Sequence, residues 1–420
     1  MSGPALPRYG TLLLACVAAT AIADNYAFQP SLTDVADDLG LSATTTGLIP
    51  TAILVGCTAG FALLLPLTDR IAPHRLVGVQ LCVLAAALTL AAAAPNAPVL
   101  LTACLLIGAM AGVAAQAGAI AGRYAAPGRR GTAMATVATG LSAGILLGRW
   151  AGGSLADLLG WRRMLLVLAG LALLGAFATG RLLPRDRPRP RGGYPAALAA
   201  LAPLLRRHRP LRRAVVTGGL WYFAFNVVWV ALSLTLARPP YSLDATAIGL
   251  YSLAGLLGFA ALPFTGRLVD RYTPGRVVVG AMGVAALGTA VLAAGFPHPV
   301  PTVLGLALFD AGCFAAQAAN QSVVVAVDPD RSGSLTGVYL VLYFAVGALG
   351  TAATAPLLDA FGPRGTMLTA LAALLTAGSL AAAHARGGAG EGGKENGREP
   401  VGAAQDIGPA GWAAPARRRI

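Results

Sequence analysis

Apolar runs of about 18–24 residues, separated by short polar or Gly- and Pro-containing turns, recur along most of the 420-residue chain. They lack strict alternation, so they read as helices and not as barrel strands. At about 1.5 Å per residue, each is long enough to cross a hydrocarbon core about 30 Å thick. The predicted spans are 10–28, 44–66, 76–94, 98–121, 132–155 and 163–180, then 214–236, 245–265, 277–296, 302–325, 334–357 and 365–383. The expected fold class is an all-α membrane protein with twelve transmembrane helices. The first run, Thr11 to Ala23, follows a single arginine, Arg8, and no clear cleavage site follows it. It therefore reads as a retained span and not as a signal peptide.

The pattern repeats itself. Asp69-Arg70 recurs as Asp270-Arg271 and Gln116 as Gln317, each 201 positions on. Gly47-Leu48 recurs as Gly249-Leu250, and Asp157-x-x-Gly160-x-Arg162 as Asp359-x-x-Gly362-x-Arg364, each at an offset of 202. Four matches in order at a nearly constant offset indicate a duplicated six-helix unit. Six is even, so the halves are parallel repeats about an axis along the membrane normal. The expected organisation is a first half over 1–180, a basic linker over 181–213, a second half over 214–383 and a disordered, Gly-rich and charged tail over 384–420. The linker combines arginine, proline and a short apolar helix pattern. It reads either as an amphipathic piece on the membrane surface or as a solvated tether.

Composition agrees: 56% of residues are hydrophobic and only 11% charged, against roughly 25% charged in soluble domains. The net charge of +14 raises the question of nucleic acid, which the placement of the charges answers. With the N-terminus in the cytoplasm, about 26 of the 31 basic residues fall on the cytoplasmic side, ten of them between Arg181 and Arg213. The first outer loop carries Asp34, Asp37 and Asp38 and no basic residue. The basic residues thus set topology and meet anionic lipid, and no nucleic-acid partner is expected. Both termini are expected in the cytoplasm of a multi-pass protein of the cell membrane. The cysteines Cys16, Cys57, Cys82, Cys104 and Cys313 each stand alone in an apolar run and read as buried free thiols. Neither metal nor cofactor is expected. The four histidines are scattered, no glutamate precedes the tail, and the one lysine is Lys394. An enzyme site or an ATP-binding loop has no residues to be built from.

Two parallel six-helix halves joined by a basic linker resemble the major facilitator superfamily, and motifs carry the resemblance further. After the eighth span, Gly266-Arg267-Leu268-Val269-Asp270-Arg271, with Arg276 beyond, is similar to that superfamily's Gly-x-x-x-Asp-Arg signature. The first half keeps Asp69-Arg70 but has Leu65 at the glycine position. The resemblance implies a cytoplasmic gate built from Asp69, Arg70, Gly266, Asp270 and Arg271. In the fifth span, Gly148-Arg149-Trp150-Ala151-Gly152-Gly153 resembles the antiporter-associated Gly-Pro-x-x-Gly-Gly, with Arg149 in place of proline. Asp24-Asn25-Tyr26-Ala27-Phe28-Gln29-Pro30 and Ala316 to Gln321 are similar to stretches of the bacterial drug–proton antiporter-like branch, in which an asparagine occupies the position of Asp24. The fourth span carries no arginine, unlike many proton-coupled members.

Three ionisable residues fall inside spans: Asp24, Arg149 and Asp310. Each costs roughly 2.5–3.5 kcal/mol at a helix centre, so partners or a wet cavity are expected. All three lie in the outer half of the bilayer, and a cluster that couples transport to protons is allowed. The resemblance places the first, fourth, seventh and tenth spans around a central cavity. The polar cavity candidates are Asn25, Tyr26, Gln29, Gln116, Trp221, Asn226, Gln317, Asn320 and Tyr343. The expected function is secondary active export of a small organic molecule in exchange for protons, by a monomer. An importer of the same fold is the alternative.

Overall fold

The computed structural model describes residues 6, 8–126, 129–186, 194, 199, 201–256, 271–296, 298–328 and 332–395. Among them there are helices and no strand. The first half contains α1 (Arg8–Tyr26), a short outer helix α2 (Leu32–Leu39), α3 (Ala43–Leu64), α4 (Pro73–Ala92), α5 (Ala97–Met110), α6 (Gly112–Tyr124), α7 (Arg130–Leu159) and α8 (Trp161–Leu182). Helices α5 and α6 form one predicted span, interrupted at Ala111. After a short helix α9 (Leu201–Arg207), the second half contains α10 (Arg209–Leu236), α11 (Ala245–Leu250), α12 (Pro274–Gly295), α13 (Pro299–Val327) and α14 (Ser332–Glu395). Helix α14 breaks at Gly362, whose φ of 65° admits glycine readily, so it holds both of the last predicted spans.

Helix starts are written locally. Asn96 accepts a hydrogen bond from the Val99 amide, Ser42 from Thr45 and Asp244 from Ala247, and Pro73, Pro274 and Pro299 supply the first helical residue of α4, α12 and α13. Nine helices among the described residues are long and apolar enough to cross a membrane. Helix α1, at the predicted first span, falls outside that nine. The predicted eighth span leaves the described residues after Leu256. The outward faces remain apolar, with Leu173, Leu174 and Phe177 of α8 exposed, as lipid contact requires.

One expectation, of five buried thiols, is corrected. Helix α14 runs on to Glu395, past the predicted span end at 383. The run Leu380-Ala-Ala-Ala-His384-Ala-Arg386 is made of good helix formers and carries the last span onward. Residues 396–420 lie outside the described residues. Of the five thiols, Cys57, Cys104 and Cys313 are buried, but Cys16 and Cys82 lie on exposed helix faces, where a small apolar residue meets lipid at no cost.

Candidate functional site

The site is set by how closely α7 approaches its neighbours. Gly140, Gly144, Gly148 and Gly152 recur every four residues and so share one face of α7. They meet Ala15, Ala19, Ala23 and Ala27, which have the same spacing on α1 and its C-terminal turn. A Cβ at any of these glycines would overlap that backbone, so the contact admits glycine alone. One residue beyond Gly148, Arg149 projects toward the centre of the molecule with 1% of its surface exposed.

Among the described residues no carboxylate stands within ion-pair distance of the Arg149 guanidinium; ion pairs form elsewhere, as Arg123–Asp69 and Arg162–Asp38. Its Nε donates to Gln29 Oε1 at 2.7 Å, and its Nη1 reaches the Ile145 carbonyl at 3.5 Å. The planar group lies 4.4 Å from the ring centre of Tyr26, 4.1 Å from Trp229 and 5.5 Å from Phe225. Tyr26 belongs to the first half; Phe225 and Trp229, on α10, belong to the second. The arginine therefore crosses between halves and is held by cation–π attraction, which strengthens when desolvated. Nη2 has no hydrogen-bond partner among the described residues.

The other side of the same indole carries Asp310 of α13. Trp229 Nε1 donates to Asp310 Oδ1 at 3.3 Å. Oδ2 has no hydrogen-bond partner among the described residues and lies beside Gly255. A Cβ at Gly255 would meet Oδ2 at 2.6 Å and Leu146 of α7 at 2.7 Å. Arg149 and Asp310 are thus brought together around Trp229, without touching.

Asp24 does not join them. It shares their depth, because its neighbour Ala23 abuts Gly148, but it points elsewhere. Two residues separate it from Tyr26, a rotation of about 200° around a helix with 3.6 residues per turn. Two turns back on its own face, Val17 lies beside Gly175 of α8, inside the first half. Both carboxylate oxygens of Asp24 are buried without partners.

Aromatic side chains fill the centre in this conformation. Tyr222 and Tyr343 stack at 3.9 Å, Trp221 packs on Tyr343 at 5.3 Å, and Phe225 stacks on Phe309 at 6.0 Å. The Tyr26 and Tyr222 hydroxyls meet across the halves at 3.3 Å. Other candidates make hydrogen bonds within and between helices. Gln116 Nε2 donates to the Leu64 carbonyl at 2.9 Å, Asn226 to the Tyr222 carbonyl of its own helix at 2.8 Å, and Asn25 to Cys57 Sγ at 3.5 Å. Gln317 accepts from Tyr339 at 2.7 Å. Asn320 Nδ2 and Trp221 Nε1 have no partner. Sequence reasoning missed Tyr222, Phe225 and Trp229. Their signal was present as aromatic residues at three- and four-residue spacing along α10.

The halves close at the C-terminal end of α7. Gly153 packs against the backbone of Ala245, and a Cβ at Gly249 would lie 2.8 Å from the Arg149 carbonyl. Asp157 accepts from the Ala245 amide at 3.2 Å and the Thr246 amide at 2.6 Å, so a carboxylate of one half caps a helix of the other. Asp157 was visible only as part of the repeat. At the opposite end of the molecule, Asp69 pairs with Arg123 of α6, while Arg70 bonds the Pro66 carbonyl at 3.0 Å and faces the Tyr194 ring. Leu65, where the first half lacks its glycine, faces Gly337 of α14 instead. Arg271 is exposed; Gly266 and Asp270 lie outside the described residues.

The family profile described as Major Facilitator Superfamily matches residues 14–351. "Uncharacterized transporter YgaY" of Escherichia coli O157:H7 is 28% identical over 342 residues, covering 81% of this chain and 86% of that one. "Probable transporter SCO4007" of Streptomyces coelicolor is 31% identical over 370 residues, covering 86% and 83%. Among solved structures, a bacterial homologue of the human lysosomal transporter Spinster, inward-facing and unoccupied, superimposes with a TM-score of 0.73 at 16% identity, over 89% of this chain and 95% of that one. The human organic anion transporter MFSD10 does so with a TM-score of 0.65 at 20% identity, over 88% and 97%. At these identities the structural likenesses speak for the fold alone.

Proposed function

The chain belongs to the major facilitator superfamily and is a multi-pass membrane transporter, and on that premise we propose that it exports a small organic molecule across the cell membrane in exchange for protons, with Asp310 as the proton carrier. The observation that carries this reading is the arrangement around Trp229. A buried carboxylate with one free oxygen and a buried guanidinium with one free nitrogen face the same indole from opposite halves. In the closed outer arrangement Arg149 and Leu146 of α7 cover Asp310. Parting of the outer ends withdraws α7 and opens Asp310 to the proton-rich side. Parting of the inner ends opens it to the cytoplasm. A carboxylate exposed in turn to either side beside a removable cation binds a proton on one side and releases it on the other. Twelve spans, cytoplasmic termini and a monomeric state belong to the same reading.

The test uses membrane vesicles with an imposed proton gradient. Asp310→Asn is expected to bind substrate but lose accumulation against a gradient, whereas Asp24→Asn keeps it. Full accumulation by Asp310→Asn and by the Asp24→Asn/Asp310→Asn double variant sinks the assignment. Accumulation on the opposite side of the membrane would make the protein an importer.

A further inference from the structure

Building on the reading that Arg149 and Asp310 face the transported molecule, we propose that this site takes a dipolar organic substrate: an aromatic body carrying a carboxylate and an ammonium group. Each charged side chain has its geometry fixed on one side and an unpartnered atom on the other. Gln29 holds Nε of Arg149, the rings of Tyr26 and Trp229 hold its plane, and Nη1 spends one hydrogen on a long contact with the Ile145 carbonyl, which leaves Nη2 and the second hydrogen of Nη1 along the Nη edge. That edge is a planar donor fork, the geometry that suits an oxyanion. Trp229 holds Oδ1 of Asp310, which leaves Oδ2 as an acceptor for an ammonium hydrogen. Both residues are fully buried, where an unpaired ion is costly to keep.

Singly charged ligands fit this pair poorly. A lipophilic cation seeks the faces of aromatic rings, but Arg149 already occupies those of Tyr26, Phe225 and Trp229 with a positive charge of its own. A simple anion satisfies Arg149 and meets the carboxylate of Asp310 across one indole. A dipolar molecule pairs with both and leaves no net charge in the site. It also couples the two cargoes correctly for exchange. The ammonium and the proton compete for one oxygen of Asp310, so each displaces the other. Trp221, Tyr222, Phe225 and Tyr343, which fill the centre with stacked rings, offer flat surfaces to the aromatic body once the halves part.

The test is equilibrium binding to the full chain in lipid nanodiscs, with matched probe sets. Phenylalanine and phenylalanyl-phenylalanine are compared with their methyl esters, which keep only the cation, and their N-acetyl derivatives, which keep only the anion. Tetraphenylphosphonium serves as a monovalent lipophilic cation. At least one dipolar probe is expected to bind about tenfold tighter than both of its derivatives. Arg149→Gln and Arg149→Lys should erase its advantage over the ester, the lysine because it keeps the charge but loses the fork. Asp310→Asn should erase its advantage over the N-acetyl form. Lowering the pH should weaken dipolar binding in the wild type and not in Asp310→Asn. Tighter binding of tetraphenylphosphonium or of an N-acetyl anion by the wild type, or no binding of either dipolar probe, overturns the proposal. Size-exclusion profiles, with retained ester binding by the Arg149 variants and retained N-acetyl binding by Asp310→Asn, show that the variants are folded. The nanodiscs carry no gradient, so the expected binding pattern without proton-driven flux in vesicles supports the dipolar site and overturns the exchange reading. Proton-driven flux of tetraphenylphosphonium alone overturns the dipolar site and leaves the exchange reading standing.

Discussion

Two seams join the halves, and the repeat makes them relatives: α7 meets α11 along one, and α14 meets α3 along the other. Their residues correspond at the offset of 202, as the differences 351 − 149, 355 − 153 and 359 − 157 show. Thr351 therefore stands in the second seam where Arg149 stands in the first, Ala355 where Gly153 stands, and Asp359 where Asp157 stands. The first seam is tight and charged. Its glycines bring backbones into contact, Asp157 caps α11, and Arg149 reaches the aromatic rings of α10. The second is looser and neutral. Thr351 and Thr51 share a hydroxyl contact at 2.9 Å, a Cβ at Gly47 would lie 3.3 Å from that of Ala355, and Phe61 packs on Phe344 at 4.9 Å. At its outer end a cavity of about 210 Å³ lies between Ala43, Arg238 and Asp359. One ancestral contact has become a charged latch beside the site, and the other a neutral contact that continues inward to Leu65 and Gly337. The difference teaches where a test of switching should begin, at the α7 seam.

The comparison breaks most sharply at its closest approach. Gly153→Leu puts a side chain into the backbone of Ala245, which cannot yield without parting the outer ends. Transport in vesicles should fall to background while the protein remains in the membrane, because each half keeps its own core. Ala355→Leu, at the corresponding place, should retain transport within about threefold. Equal losses at both positions would show that the seams are equivalent.

Asp157→Asn comes next. It removes a charge that accepts two amide hydrogen bonds, and charge-assisted bonds contribute about 1.5–3 kcal/mol each. Part of that returns through the amide oxygen of asparagine, so the outer-open population should rise by about tenfold. Spin-label distances between the outer ends of α7 and α11 measure it. Asp359→Asn should leave the corresponding distance across α14 and α3 unchanged.

How much of this was legible in the sequence differs between the two coordinates of a helix. Position along the membrane normal was readable, because apolar runs fix the spans and counting residues fixes depth. That is why Arg149, Asp310 and Asp24 were expected at one level. Azimuth was not read. Asp24 lies on the far side of α1 from Tyr26, and that follows only once Ala15, Ala19, Ala23 and Ala27 are matched with Gly140, Gly144, Gly148 and Gly152 as facing ladders. Gln116 and Gln317 looked like cavity groups because polar residues in apolar runs draw attention, yet a backbone carbonyl and a tyrosine hydroxyl engage them. The role of Asp157 was illegible because the helix it caps is 88 residues away in the chain.

External acid should sharpen the contrast more mildly. Asp34 of α2 lies near the latch, and its carboxyl is raised above its ordinary value of 3.8, by burial first and then by the negative charges of Asp157, Asp37 and Asp244. Opening the outer ends hydrates Asp34 and carries Asp244 away with the second half, which returns the group toward its ordinary value. The closed arrangement therefore holds the proton more tightly. As external pH falls from neutrality toward the carboxylate range, the closed population should grow. The same spin-label distances should show this shift in the wild type and not in Asp34→Asn.

The smallest effect belongs to the neutral seam. The hydroxyl of Thr51 contacts that of Thr351, but each also has a carbonyl on its own helix, Gly47 for Thr51 and Ala348 for Thr351, both at 2.9 Å. The two hydroxyls share two hydrogens among three contacts, so either can lose its partner and keep a bond. Valine has the shape of threonine without the hydroxyl, and a typical internal hydrogen bond contributes about 0.5–1.5 kcal/mol. Thr51→Val and Thr351→Val should each change transport by less than about threefold, and the double variant by no more than either alone, since the second substitution removes a hydroxyl whose partner is already gone. A double variant that loses transport outright would mean that this pair also opens and closes during the cycle, and the distinction between a switching seam and a neutral one would fall with it.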